Sequence, residues 1–65
     1  MKDGLYFSNE NGGTTYFVLN EKILMRLMGN TYRITKHFMF GTYKTPLQPQ
    51  MIKHFDEVYN ECETW

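Results

Sequence analysis

Lys22-Ile23-Leu24-Met25-Arg26-Leu27-Met28 is the stretch on which the fold turns. As a strand it alternates, with Ile23, Met25 and Leu27 on one side, and Gly29-Asn30 supplies a two-residue turn into Thr31-Tyr32-Arg33-Ile34-Thr35-Lys36. As a helix it is capped by Asn20 and ended by Gly29, with Ile23, Leu24, Leu27 and Met28 as its stripe. Leu, Met, Lys and Arg favour the helix. Two turns, however, fall short of the roughly eight to twenty residues of an ordinary helix, so 21–28 is carried forward as a strand.

Downstream, residues 31–43 read as strand under either choice. Tyr32, Ile34, Phe38 and Phe40 share one parity and form a core-like side, while Arg33, Thr35, His37 and Met39 share the other. Gly41 marks a bulge or the strand's end. Upstream, Gly4–Ser8 and Thr14–Leu19 are rich in aromatic and β-branched residues, and the glycine-containing link Asn9-Glu10-Asn11-Gly12-Gly13 joins them as a β-hairpin. That link lacks the glycine spacing and the following helix of a phosphate-binding loop.

The clearest element lies furthest from the opening stretch. Thr45-Pro46-Leu47-Gln48-Pro49 breaks the chain, and Pro49 suits a first helical position because its missing N–H would have no intrahelical partner there. Met51, Ile52, Phe55, Val58, Tyr59 and Cys62 then repeat as one helical stripe. The expected fold class is α+β: a small antiparallel sheet of three or four strands, with a C-terminal amphipathic helix packed on one face.

Residues 1–65 leave room for one domain and one core, and a chain of this length buries only about 60% of its unfolded surface. Cys62 is the single cysteine, so no intrachain disulfide can form. With no apolar run approaching the roughly 18 residues of a membrane span and no signal-like apolar start, a cytoplasmic protein without a membrane partner is expected. Five Tyr, five Phe and one Trp give the chain enough burial to exclude disorder.

The formal net charge of zero conceals a separation of sign. Residues 1–21 carry Lys2 against Asp3, Glu10 and Glu21; residues 22–55 carry six cations and no acid; the remainder carries Asp56, Glu57, Glu61 and Glu63 and no base. Such asymmetry raises the expectation of a charged partner.

Catalytic chemistry finds no support. Cys62 lies on the apolar stripe near a helix C-terminus, between Glu61 and Glu63, where dipole and neighbours oppose a thiolate, so it reads as a structural thiol. His54, Glu57 and Glu61 share a helical face, but zinc usually takes three or four ligands from more than one element, and weakly paired surface charges explain them. No GxSxG, Walker or dinucleotide sequence is present. Neither enzyme activity nor a metal or cofactor is expected.

Two binding readings follow. In the first, a small non-enzymatic protein docks on another protein that has a basic surface, through Asp56, Glu57, Glu61, Glu63 and Trp65. The acids Glu61 and Glu63 sit where the helix dipole favours cations, at a cost of a few tenths of a kcal/mol each, and Trp65 supplies an anchor. An inhibitor of a host enzyme, of the kind phages and mobile elements encode, is one form such a protein takes.

In the second, a single-stranded nucleic-acid module uses Arg33, Lys36, His37, Tyr43 and Lys44, which interleave cations with rings. Ring and cation parities differ, and a pI near 6.7 lacks the usual basic excess. An exposed strand edge also allows a small homo-oligomer beside the monomer.

Overall fold

The computed structural model describes residues 1–65, apart from the side chain of Asn11 in the first hairpin link. Six strands form one sheet: β1 (Gly4–Ser8), β2 (Thr14–Leu19), β3 (Lys22–Leu27), β4 (Asn30–Ile34), β5 (Thr42–Thr45) and β6 (Glu63–Thr64), with the helix α1 (Pro49–Glu61) between the last two. Their order is β5-β1-β2-β3-β4-β6. Every pairing is antiparallel except β4 with β6, which is parallel. The class is α+β as expected, but the sheet exceeds three or four strands because β5 and β6, too short to show a periodic pattern, add to both edges.

The opening stretch is a strand. Ile23, Leu24 and Met25 are all buried, as are Tyr16, Phe17 and Val18 beside them, so the two middle strands are covered on both faces. A strand buried on both faces reads as a continuous apolar run rather than an alternation. That is why Leu24 fitted a helical stripe equally well.

Tight turns set the register. Asn20 and Glu21 have φ of 49° and 67° between β2 and β3, and Met28 and Gly29 have 52° and 82° between β3 and β4. Positive φ at both central residues matches the right-handed twist of the flanking strands. The second turn is therefore Met28-Gly29, one residue earlier than Gly29-Asn30; Asn30 already pairs with Leu27. In the first hairpin link, Glu10–Gly12 forms a single 3₁₀ turn.

The expected strand over 31–43 ends at Ile34. Residues Lys36–Phe38 form a 3₁₀ turn, and the chain from 35 to 41 leads from β4 to β5 at the far side of the sheet. It crosses one face on the way, where Met39 packs against the cluster of Tyr6, Tyr16, Val18, Ile23, Met25 and Ile34. Gly41 marks the closest approach: a Cβ there would stand 2.8 Å from the Tyr16 ring and 3.1 Å from the Tyr6 Cβ. Parity failed here because Phe38 and Phe40 are not strand residues, and both are exposed.

α1 returns across the opposite face to β6. It starts at Pro49 as expected, and Phe55, Met51, Tyr59 and Cys62 pack with Phe17, Leu24 and Leu47. Ile52 and Val58 remain exposed, so the buried stripe is narrower than the sequence suggested. Cys62 is half-buried, its thiol donating to the Tyr59 carbonyl at 3.6 Å. No helix is long and apolar enough to cross a membrane.

Candidate functional site

On the face crossed by residues 35–41, the registers place Tyr43, Tyr6, Tyr16, Met25 and Tyr32 side by side across five strands. Cross-strand neighbours on one face lie about 4.5–5.5 Å apart at Cβ, so these side chains form a continuous row. Tyr6 and Tyr43 meet edge to face with centroids 5.4 Å apart, and the Tyr6 hydroxyl donates to the Lys2 carbonyl at 2.6 Å. Lys2 Nζ caps the row at 4.3 Å from the Tyr43 ring.

At its other end the row meets Trp65. The Trp65 backbone N–H donates to the Arg33 carbonyl at 2.8 Å, which extends the β4–β6 ladder, and its ring meets Tyr32 edge to face at 5.1 Å. Phe38, Phe40 and Trp65 then line one groove of about 150 Å³, floored by Tyr16, Met25 and Leu27. These three rings are 54%, 67% and 59% exposed. Large exposed apolar groups gathered around one concavity are the ordinary mark of an interaction surface, whereas single scattered ones are not.

The groove has acidic neighbours. Glu10 lines it directly, and Glu63 pairs with Tyr32 in the parallel register, which sets its side chain on the same face as Trp65, two residues on. Thr14 beneath is buried, its hydroxyl donating to the Glu10 carbonyl at 3.0 Å.

The expected protein-docking residues do not gather in one place. Asp56 projects from α1 and pairs with Lys22 at 3.2 Å; Glu57 faces His54 at 3.4 Å; Glu61 closes the exposed end of the helix. Glu63 and Trp65 belong to the β6 edge and the aromatic face. Asp56 and Glu57 are thus partly engaged with the protein's own Lys22 and His54, and Trp65 stands with Phe38 and Phe40 instead. Their sequence parity places those two phenylalanines on the core-like side. The signal against that assignment was the polar run Thr35-Lys36-His37, which interrupts any strand before Phe38 is reached.

The basic set is also dispersed. Arg33 lies on the helix-covered face, its guanidinium 5.5 Å from the Tyr59 ring and its Nε buried without a hydrogen-bond partner. Lys44 sits on β5, four strands away from β4, and Tyr43 is enclosed by Tyr6 and Lys2. Lys36 lines a small recess with Glu21 and Ile23, and His37 is exposed in the 3₁₀ turn. Among the described residues, no group of three His, Cys, Asp or Glu side chains could hold a metal ion. Compared with known proteins, the chain matches no family model, no curated protein and no solved structure.

Proposed function

We propose that this chain is a small protein-binding module that takes a basic segment of another protein into the groove of Phe38, Phe40 and Trp65. One observation carries the reading: three large rings, each more than half exposed, converge on one concavity although the same chain buries Tyr6, Tyr16 and Phe55 nearly completely. Trp65 is the natural anchor, since tryptophan contributes disproportionately at the centre of interfaces. Glu10 on its wall and Glu63 on the adjoining β6 edge give this face a negative character, which selects cationic residues on the partner and accelerates their approach.

The rings could also stack bases, but the acids beside them repel phosphate, and Arg33 and Lys44 belong to separate parts of the sheet. The acidic helix end contributes through Glu63 rather than through Asp56 or Glu57.

The test is affinity capture with matched variants. Phe40→Ala with Trp65→Ala should abolish capture of a specific protein, and Glu10→Lys with Glu63→Lys should weaken it. Reversal of Asp56 and Glu57 should leave it intact, circular dichroism reporting a retained fold throughout. Capture that survives loss of both rings, or retention of single-stranded oligonucleotide in place of protein, would sink the proposal.

A further inference from the structure

The opposite face carries a second groove with different chemistry. Alongside α1, Phe17, Leu24, Met51, Phe55 and Val58 line a concavity of about 240 Å³, with His54 on the helix side and Arg26 and Thr31 forming its far wall. A neighbouring hollow of about 220 Å³ continues past Met51 to Leu5 and Leu47, again with Arg26 and Phe17 on its wall. Arg26 therefore stands where the two meet.

Arg26 is exposed and forms no ion pair among the described residues, its guanidinium resting 5.8 Å from the Phe17 ring. The registers Thr15↔Arg26 and Arg26↔Thr31 put a threonine on each side of it across the strands. A guanidinium offers planar paired donors that match a carboxylate, and two flanking hydroxyls add further donors. A polar row thus borders an apolar trough, with one uncompensated positive charge between them.

We infer that this face binds a free medium-chain alkyl carboxylate, its head group on Arg26 between Thr15 and Thr31 and its tail in the trough against Phe17, Leu24 and Val58. Binding sites of this kind are mainly apolar with a few polar groups that fix orientation. Size bounds the chain length: an apolar cavity of about 150 Å³ takes a six-carbon ring, so a groove of about 240 Å³ has room for about ten carbons and an eight-carbon chain fits. The site is independent of the aromatic groove, which lies on the other side of the sheet and carries acids rather than a cation.

Octanoate, octyltrimethylammonium and acetate, each titrated below any micelle concentration, provide the test by amide chemical-shift mapping. Octanoate should give saturable shifts at Phe17, Leu24, Arg26 and Val58, while acetate, lacking a tail, gives none. Octyltrimethylammonium should bind roughly tenfold more weakly or worse, the usual worth of a charge-assisted hydrogen bond. Arg26→Gln, at an exposed position, should cut octanoate affinity by a similar factor, and Arg26→Lys should restore part of it. Equal binding of the two octyl probes, an unaffected Arg26→Gln variant, shifts centred on Trp65, or no saturation would each overturn the assignment.

Discussion

The two faces of the sheet are built from the same strands but closed by different means. The helix face is covered by aliphatic and phenylalanine packing, with Phe55 almost fully buried against Phe17, Leu24 and Leu47 and an apolar groove left open beside them. The other face carries a row of tyrosines and is closed only by the irregular chain of residues 35–41, which commits Met39 to the core and leaves Phe38 and Phe40 in water. α1 turns Met51, Phe55 and Tyr59, one per turn, onto its face of the sheet, whereas of the seven crossing residues Met39 packs into the cluster beneath. Both faces hold a buried cluster, but the large rings left accessible, Phe38, Phe40 and Trp65, gather on one of them.

That contrast breaks first on a pair of phenylalanines. Phe55→Ala should cost about 3–5 kcal/mol, the usual loss for a buried phenylalanine, whereas Phe40→Ala should stay within about 0.5 kcal/mol of the parent. Urea unfolding of the two variants measures both; equal losses would mean that Phe40 is core and the faces are alike.

Gly41→Ala probes how closely the crossing chain lies on the tyrosines. A Cβ at 2.8 Å from the Tyr16 ring must displace ring or chain, and overpacking of this kind costs about 1–3 kcal/mol. A neutral result would show a looser crossing than the contacts imply. Trp65→Ala removes the edge-to-face contact with Tyr32 and should cost about 0.5–1.5 kcal/mol of stability, measured by the same unfolding curves.

The smaller effects lie at turns and surface charges. Met28 is exposed and holds φ at 52°, so Met28→Asn should stabilise by up to about 1 kcal/mol, since asparagine tolerates the left-handed region better. Lys22→Ala should cost less than about 1 kcal/mol and lose its effect in high salt, because Lys22 and Asp56 pair in solvent. A large, salt-insensitive loss would show that the helix is held to the sheet electrostatically rather than by Phe55.

What the sequence made legible follows the same division. α1 was readable from Pro49 onward because the helical period and the proline agree, and the hairpin of β1 and β2 was readable from its aromatic runs and glycine link. Residues 22–28 were ambiguous because burial on both faces erases alternation. β5 and β6 escaped notice because four residues and two residues carry too little pattern, and what makes them strands is a long-range edge already present. The aromatic groove was half visible. Trp65 stood out as the sole tryptophan, but Phe38 and Phe40 join it only through the crossing chain, a tertiary arrangement that no local spacing encodes.

The most direct measurement is site-specific photo-crosslinking, with a benzophenone amino acid placed at position 40 on the aromatic face or at position 52 on the helix. A discrete protein adduct should form from position 40, disappear when Trp65→Ala is added, and be absent from position 52. The same adduct from position 52, or none from position 40, would contradict a docking role for the aromatic face.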